Sequence, residues 1–186
     1  MENTDIWFYA PKFIPFADDI FSELMSQESK FFPERTMVLY GRSVSLKRRS
    51  SIITDCETSP YKATDVVTFK WSECGSVLKC KQFLKDTLKL DFDYCLCHLY
   101  PNEQAGIAWH VDKEAMTTPI VSISLGETRK FCMKDLKTGE QKDFELGHGD
   151  LFLMKTGCQQ KFKHCVPKET KSKGPRINLT FRRIES

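Results

Sequence analysis

Short extended segments dominate the second half of the chain, and turn residues separate most of them. They have the lengths of strands, and glycine, proline or asparagine stands in most of the connections. The segments span residues 93–100, 107–112, 119–125, 129–134, 142–146, 150–154, 161–166 and 176–183. About eight short strands in succession favour a β-sandwich or a jelly-roll barrel.

The first ninety residues have a more mixed pattern. Residues 1–14 are extended and aromatic, residues 36–54 form extended segments with polar breaks, and residues 55–65 are expected to form a loop. Helical periodicity predicts one helix over residues 15–28 and a second over residues 74–88. The predicted fold is therefore α+β and mainly β, with N-terminal helices flanking the β core.

A length of 186 residues suits one domain, which buries roughly 70% of the surface that its unfolded chain exposes. We therefore expect a single domain over residues 1–186. Residues 91–186 are expected to form its β core, and residues 1–90 to supply further strands and the supporting helices.

Eight cysteines stand in a chain that opens on polar and acidic residues. The opening has no apolar signal segment and no paired CxxC motif occurs, so we expect free thiols in a reducing intracellular compartment, nucleus or cytoplasm, and no secretion. No stretch approaches the length of a membrane span, and no membrane partner is expected. A zinc site built from Cys158, His164 and Cys165 is an alternative, although its spacing fits no common pattern.

The net charge of +3 by itself barely argues for a polyanionic partner, but basic residues cluster in two places. The clusters are Arg42, Lys47, Arg48 and Arg49, and then Lys161, Lys163, Lys168, Lys171 and Lys173, with Arg182 and Arg183 close behind. Each cluster is a candidate for phosphate contacts, and a solvated basic surface is an equally good interpretation of each.

Three residues have the composition of a metal site. His110 and Asp112 are two residues apart in a predicted strand or at its end, where alternation would direct both side chains to one face. His164 lies 52 residues beyond Asp112. Two imidazoles and one carboxylate form the facial triad of non-haem Fe(II) oxygenases, which leaves three metal positions open. Taken alone, a His–Asp pair is more often a structural hydrogen bond.

The last predicted strand alternates without a break. Arg176, Asn178, Thr180 and Arg182 share one face, and apolar residues share the other. An edge strand with its polar face in solvent would explain this alternation. It would not call for two arginines flanking an asparagine, whereas a pocket for a dicarboxylate would, because guanidinium groups bind carboxylates through paired hydrogen bonds.

These motifs together resemble the AlkB family of oxidative nucleic-acid demethylases. The joint pattern is HxD at residues 110–112, a distant His164 and RxNxTxR at residues 176–182. Further matches are Leu-Tyr-Pro at 99–101 and the segments 119–126, 128–131 and 149–154. The resemblance covers roughly residues 36–183. It implies a double-stranded β-helix, or jelly roll, in which His110, Asp112 and His164 hold Fe(II).

The resemblance also implies 2-oxoglutarate as co-substrate and O₂ as oxidant. Tyr100, Arg176, Asn178 and Arg182 occupy positions that bind 2-oxoglutarate in the family. The family usually has asparagine two residues before that tyrosine, and this chain has His98. An imidazole can still donate a hydrogen bond to a carboxylate, so we place His98 in the co-substrate site as well.

Substrate-facing residues follow from the same resemblance. Glu114 stands where the family often has an acidic residue, and a carboxylate attracts a base that methylation has made cationic. The segment around Tyr40 resembles a lid of the DNA-repair branch, with Tyr40 as a wedge and Arg42 and Arg48 on phosphates. Tyr61 is a second stacking candidate. A surface glutamate and a buried strand tyrosine remain the simpler interpretations of Glu114 and Tyr40.

The function that the resemblance implies is direct-reversal repair of N-alkylated bases, such as 1-methyladenine and 3-methylcytosine, in DNA or RNA. The expected partner is alkylated nucleic acid, and a monomer is expected. One alternative is a dioxygenase of the same superfamily that acts on a protein or on a regulatory RNA methyl mark. Another is a nucleic-acid-binding domain without catalysis, against which the complete triad and the paired arginines argue.

Overall fold

A computed structural model of the chain describes residues 1–39, 41–57 and 66–184. Two β-sheets and a small hairpin form most of this structure. The strands are β1 (Glu2–Asn3), β2 (Trp7–Ala10), β3 (Thr36–Leu39), β4 (Arg42–Ser45), β5 (Arg49–Thr54), β6 (Val67–Phe69), β7 (Tyr94–Tyr100), β8 (Ile107–His110), β9 (Ile120–Gly126), β10 (Arg129–Asp135), β11 (Gln141–Leu146), β12 (Leu151–Met154), β13 (Phe162–Val166) and β14 (Arg176–Arg182). The helices are α1 (Ala17–Ser26), α2 (Glu28–Phe31), α3 (Gly75–Leu88) and α4 (Cys158–Lys161), with 3-10 turns at Trp71–Glu73 and Lys113–Ala115.

The major sheet has eight strands in the order β1-β2-β12-β9-β14-β7-β5-β6. Strand β14 lies at its centre and pairs antiparallel with β7 on one side and β9 on the other. All seven residues of β14 are buried. The edge-strand interpretation of this segment is therefore wrong, because neighbouring strands cover both of its edges and its polar face is withdrawn from solvent.

The minor sheet has four strands in the order β11-β10-β13-β8. An apolar core that includes Phe131, Phe144 and Phe152 packs between the two sheets, with ring centroids 4.9 and 5.0 Å apart. This arrangement confirms the predicted jelly roll, and each of the eight strands expected in residues 93–183 is present within two residues of its predicted bounds.

Helices α1 and α3 cover the other face of the major sheet. Ile177, Leu179 and Phe181 of β14 belong to the apolar core on that face, together with Leu24 of α1 and Leu84 of α3. The alternation of β14 thus separates two environments: the odd-numbered residues face helices and the even-numbered ones face the minor sheet.

The helix predicted over residues 15–28 is broken into α1 and α2. Gln27 leaves the helical conformation, with φ −121° and ψ 34°. This break allows Phe31 to turn into the core, where its ring centroid lies 4.8 Å from that of Phe69. The second predicted helix is confirmed as α3. No helix in the described ranges has the length and apolar character that a membrane crossing requires.

The N-terminal strands are integrated into the major sheet rather than set apart from it. Strand β2 pairs with β12, and β5 pairs with β7 on the opposite side of the sheet. Strands β3 and β4 form a separate two-stranded hairpin. The division into a supporting part and a catalytic core at residue 90 therefore remains a prediction about function.

Candidate active site

The two candidate histidine ligands lie on neighbouring strands of the minor sheet. His110 is the last residue of β8 and is directly opposite His164 of β13, with ring centroids 4.2 Å apart. Asp112 follows where the chain has left β8 and is about to enter a 3-10 turn. The ligand atoms of His110, Asp112 and His164 all lie within 4.8 Å of one another. The triad predicted from the sequence is thus one cluster in the fold.

A β-bulge in β8 determines which side chains reach this cluster. Ile107 pairs with Val166 and His110 pairs with His164, so three steps along β8 oppose two steps along β13. The extra residue allows Ile107 and His110 both to line the cavity, which strict alternation would not permit. Gly106 precedes the bulge, and a Cβ there would lie 2.8 Å from the carbonyl oxygen of Val166. A glycine is therefore needed where β8 approaches β13.

Asp112 is buried and held at both ends of the residue. Its backbone N–H donates to Oε1 of Gln159 at 2.9 Å, and its Oδ1 accepts from Nη2 of Arg182 at 2.8 Å. Burial alone would raise the pKa of Asp112, but the positive charge of Arg182 and its hydrogen bond to Oδ1 outweigh burial and keep the pKa below its ordinary value. The carboxylate is therefore ionised and available to a metal ion.

Both imidazoles can present a nitrogen to a metal ion. Burial lowers the pKa of His164 to about 4, although Asp112 partly opposes the shift. Nδ1 of His110 lies 2.8 Å from the carbonyl oxygen of Ala108, which can only accept, so we assign the ring proton to Nδ1. Nε2 of His110, 3.7 Å from Oδ1 of Asp112, then carries a free lone pair.

The polar face of β14 forms a chain of buried hydrogen bonds beside this cluster. Nη2 of Arg176 donates to Oγ of Ser124 at 2.8 Å and to Oδ1 of Asn178 at 2.9 Å. Nδ2 of Asn178 donates to Oγ1 of Thr180 at 3.1 Å and to Oγ of Ser122 at 3.0 Å. This network fixes the orientation of Arg176 before any ligand binds.

Arg176 itself is incompletely satisfied. It is fully buried, and among the described residues its Nε and Nη1 have no hydrogen-bond partner. Burial lowers the pKa of its guanidinium, and the ring of Tyr100, 5.1 Å from Cζ, is its aromatic neighbour. Two free donors on a buried cation suit a carboxylate, and the His–Asp–His set suits Fe(II), so the residues present fit both 2-oxoglutarate and the metal.

His98 lines the same cavity, and its position is set by a residue that the sequence did not point to. Nδ1 of His98 lies 2.7 Å from Oγ of Ser50, which is buried in β5. Burial first, and then the charges of Arg48 and Arg182, hold the pKa of His98 well below its ordinary value. The imidazole is therefore neutral, and its second nitrogen is free for another partner.

Sequence reasoning missed Ser50 and Gln159. A serine pair within an otherwise apolar buried strand is a signal that could have identified Ser50 as a polar contact. Nothing in the local sequence marks Gln159, which reaches the backbone of Asp112 from α4 only through the tertiary fold.

Two of the predicted substrate residues lie near the cavity. Glu114 lines a pocket that shares His110 and Asp112 with it, and the charge of Arg48 acts on His98. Oε2 of Glu114 lies 3.8 Å from Nη1 of Arg182, and its side chain is partly exposed. Arg48 is half-buried, and its Nη1 has no hydrogen-bond partner in the part of the chain that the structure describes. Arg42 is exposed at the start of β4. Tyr40 and Tyr61 lie outside the described residues.

The zinc alternative is not supported by this geometry. Cys158 lies in α4, and Cys165 is the cross-strand partner of Cys132. Within the described ranges, the only cluster of three or more metal-binding side chains is that of His110, Asp112 and His164.

Comparison with known proteins agrees with the geometry. The family model described as the 2OG-Fe(II) oxygenase superfamily matches residues 9–182. The alpha-ketoglutarate-dependent dioxygenase alkB homolog 3 of Bos taurus is 37% identical over 120 residues, which are 58% of this chain and 42% of the relative. The DNA oxidative demethylase ALKBH2 of Arabidopsis thaliana is 28% identical over 212 residues, 95% of this chain and 65% of the relative.

A solved structure, that of OsALKBH1, superposes with a TM-score of 0.62 at 18% identity and covers 98% of this chain and 100% of that chain. This likeness concerns the fold alone. The match to the alkB homolog 3 proteins spans less than half of their length. The family model covers nearly the whole chain, and the relatives carry AlkB names. The predicted AlkB resemblance is therefore confirmed, and the chain belongs to the 2OG-Fe(II) oxygenase superfamily, whose members use Fe(II), 2-oxoglutarate and O₂.

Proposed function

We propose that this chain removes alkyl groups oxidatively from N-alkylated bases, such as 1-methyladenine and 3-methylcytosine, in DNA or RNA. The observation that carries the proposal is a His–Asp–His cluster in a cavity that Asn178 also lines, with Asn178 accepting a hydrogen bond from the buried Arg176. Among the described residues, Nε and Nη1 of Arg176 have no hydrogen-bond partner. With Fe(II) bound, 2-oxoglutarate and O₂ yield succinate and CO₂, one oxygen atom enters the N-methyl group, and the hydroxymethyl product releases formaldehyde.

The protein's own part in this reaction begins with the metal ligands. His110 presents Nε2, because its Nδ1 faces the carbonyl oxygen of Ala108. His164 presents a neutral imidazole, and Asp112 presents one negative charge. Arg182 keeps that carboxylate ionised and oriented, since its Nη2 lies 2.8 Å from Oδ1. Two imidazoles and one carboxylate suit a divalent cation and leave coordination positions for the co-substrate.

We assign co-substrate binding to the part of the cavity that Asn178 and Thr180 of β14 line, and call it the co-substrate slot. Arg176 is placed to pair with a carboxylate of 2-oxoglutarate, because its free Nε and Nη1 have no other partner in the buried slot. Asn178 and Tyr100 border the same cavity, and the free nitrogen of His98 replaces the asparagine that the family usually has there.

Substrate binding is assigned to the pocket beside this cavity that Glu114 lines. A base inside a duplex cannot reach a cavity between two sheets, so the target must be flipped out or single-stranded. Glu114 supplies a negative charge for a cationic alkylated base and an acceptor for its exocyclic amine. Arg48 and Arg42 are proposed phosphate contacts, and Tyr40 and Tyr61 are proposed stacking residues of the lid.

DNA is the favoured substrate, because the relative aligned over 95% of this chain bears the name DNA oxidative demethylase. The test is turnover with Fe(II) and 2-oxoglutarate on methylated single- and double-stranded DNA and RNA, with formaldehyde and methyl loss followed by mass. Methyl loss from a DNA or RNA base supports the proposal. Succinate formation only with a protein substrate would instead establish the alternative class, and oligonucleotide binding without any succinate would leave a binding domain.

Glu114→Gln separates base recognition from the metal chemistry. It preserves the shape of the side chain and removes the charge. We expect demethylation of a cationic base to fall by about tenfold, as the loss of one charge-assisted contact implies, while consumption of 2-oxoglutarate without substrate is unchanged. Equal losses in both assays would exclude Glu114 from reading the base.

We further infer a monomer in a reducing intracellular compartment. The cysteines support the compartment, because all eight are free and all except Cys56 are buried.

A further inference from the structure

The outer face of the minor sheet carries an exposed tryptophan between two lysines. Trp109 is 38% exposed, whereas Trp7 and Trp71 are 9% and 4% exposed. The ammonium nitrogens of Lys134 and Lys163 each lie 5.8 Å from the centroid of the Trp109 ring. An aromatic ring bordered by cations is the arrangement that proteins use to stack an unpaired base while holding its phosphates.

The ring opens onto a cleft of about 560 Å³ with further free positive charge. Lys168 and Lys171 line it and are exposed, and no carboxylate of the described residues pairs with them or with Lys134 and Lys163. These four lysines belong largely to the C-terminal basic cluster that the catalytic site leaves without a role.

The carboxylates of the cleft leave this charge largely uncompensated. Asp143 lies 3.4 Å from Nζ of Lys130, and Glu169 lies 3.0 Å from Nε of Arg129. Glu145 is the remaining acidic side chain of the lining. The cleft is therefore positive beside the tryptophan, which suits a polyanion with planar groups.

The bulged strand β8 connects this face to the candidate active site. His110 faces the cavity between the sheets, while the preceding Trp109 lines the outer cleft. Strand β8 is also at the edge of the minor sheet. A single-stranded nucleic acid can therefore pass from one face of this sheet to the other at β8 without crossing a further β-strand.

We propose that Trp109, Lys134 and Lys163 form a stacking site for an unpaired base of a single-stranded nucleic acid, separate from the pocket that takes the target base. The proposal deepens the proposed function and rests on it: a strand whose alkylated base enters the pocket passes the edge of β8 and places a neighbouring base on Trp109. Lys168 and Lys171 then contact phosphates further along the strand.

The first experiment uses the tryptophan as its own probe. Iron-free protein is titrated with an unmethylated single strand of about 12 nucleotides, a length within the usual range of single-strand sites. Because Trp109 is the most exposed of the three tryptophans, stacking of a base should quench the intrinsic emission. A Trp109→Phe variant should lose that quenching, and emission that the strand leaves unchanged would overturn the proposal.

The second experiment measures affinity by anisotropy of a labelled strand. Trp109→Ala should weaken binding by about tenfold, because one base loses its stacking partner, and Trp109→Phe should retain part of the affinity. Lys134→Ala and Lys163→Ala should each reduce the slope of log affinity against log salt by about 0.7, the value of one phosphate contact on a single strand.

Lys79→Ala is the matched control, because Lys79 also lies over an aromatic ring, 4.3 Å from the centroid of Phe16, but on the helical side of the major sheet. It should leave affinity and salt slope unchanged. If Trp109→Ala fails to fold, the Trp109→Phe and Lys134→Ala variants are used instead to test the stacking site. Equal effects of Lys79→Ala and Lys134→Ala would reduce the site to nonspecific surface charge and overturn the proposal.

Vesicles of phosphatidylserine and phosphatidylcholine provide the competing arm, since tryptophan and lysine also favour anionic membrane surfaces. A change of Trp109 emission with vesicles but not with the oligonucleotide would overturn the proposal.

The binding assays need neither iron nor a methyl group. Strand binding without demethylation would therefore refute the proposed function alone, and demethylation with affinity unaffected by Trp109→Ala would refute this site alone.

Discussion

The two arginines of β14 are equally buried and differ in what they face. Arg182 donates to Asp112 at 2.8 Å and lies 3.8 Å from Glu114. Arg176, six residues away on the same face, donates only to the neutral Ser124 and Asn178. Within the described residues, Nε and Nη1 of both arginines have no hydrogen-bond partner, so the two differ in the charge of their partners. Burial acts to lower the pKa of both, but Asp112 reverses the shift for Arg182, whereas that of Arg176 remains lowered.

This difference distinguishes a charge that is neutralised within the protein from one that is not. A buried cation without a counter-ion destabilises the folded protein. A fold that retains such a guanidinium therefore provides a site at which an anionic ligand neutralises it. We infer that Arg176 binds the co-substrate, and that Arg182, which the resemblance also places in the co-substrate site, keeps Asp112 ionised.

The largest effect is expected at the metal ligands. His110→Ala and Asp112→Ala should each reduce turnover below detection, because either removes a ligand of the iron. Only Asp112→Ala should also destabilise the iron-free protein, by about 3–5 kcal/mol, since it leaves the buried guanidinium of Arg182 without its partner. Activity, iron content and urea unfolding of the two variants measure these effects.

Circular dichroism of both variants controls for loss of the fold. Normal turnover in either variant would remove that residue from the metal site. Equal unfolding midpoints for the two iron-free variants would show that Arg182 does not depend on Asp112 for its counter-charge.

The arginines themselves can be exchanged for methionine, which is apolar and of similar length. Arg182→Met should destabilise the iron-free protein by about 3 kcal/mol more than Arg176→Met, because only the former leaves a buried carboxylate unpaired. Arg176→Met should weaken 2-oxoglutarate binding by about 10- to 100-fold, as expected for the loss of charge-assisted hydrogen bonds.

Calorimetry with Fe(II) under anaerobic conditions gives the affinity, and urea unfolding gives the stability. The two variants serve as controls for each other, since both remove one positive charge from the same face of β14. Unchanged 2-oxoglutarate affinity in Arg176→Met would place the co-substrate elsewhere.

Most of this architecture was accessible from the sequence because its signals are local. Turn residues delimited the strands, and the spacing of HxD, His164 and RxNxTxR identified the ligands through a resemblance. The polar face of β14 indicated a ligand pocket, but the central position of β14 between β7 and β9 was not accessible, because these strands pair residues that lie far apart in the sequence. The helix break at Gln27 was also inaccessible, since it depends on the burial of Phe31 against Phe69.

The contacts that orient the site were the least predictable. Ser50 and His98 are 48 residues apart, and Gln159 and Asp112 are 47 apart. Such pairs meet only when the sheets are assembled, and no spacing rule connects them. The bulge in β8 is likewise visible only as a mismatch of register with β13.

Ser50 provides a smaller test of the co-substrate slot. Its hydroxyl holds Nδ1 of His98, so Ser50→Ala should free the ring and weaken 2-oxoglutarate binding by about fivefold, equivalent to about 1 kcal/mol for one hydrogen bond. Ser51→Ala, on the next residue of β5, is the matched control, because Oγ of Ser51 has no hydrogen-bond partner within residues 1–39, 41–57 and 66–184. Equal affinities of the two variants would mean that Ser50 does not position His98.

The smallest effect concerns the pH dependence of stability. Burial holds the pKa of His98 below 6.5 in the folded state. Below pH 6.5 the imidazole is therefore protonated in the unfolded chain but remains neutral in the folded protein. Protonation of His98 in the unfolded chain therefore lowers the free energy of unfolding as the pH falls below 6.5. The loss is less than about 1 kcal/mol at pH 6. His98→Asn should therefore show a shallower decline of unfolding free energy between pH 7 and pH 5.5 than the unsubstituted protein. His164, whose pKa is also lowered, titrates in both proteins and cancels in the difference. Parallel declines would indicate that His98 is protonated in the folded protein, and the neutral donor assigned to the co-substrate slot would have to be abandoned.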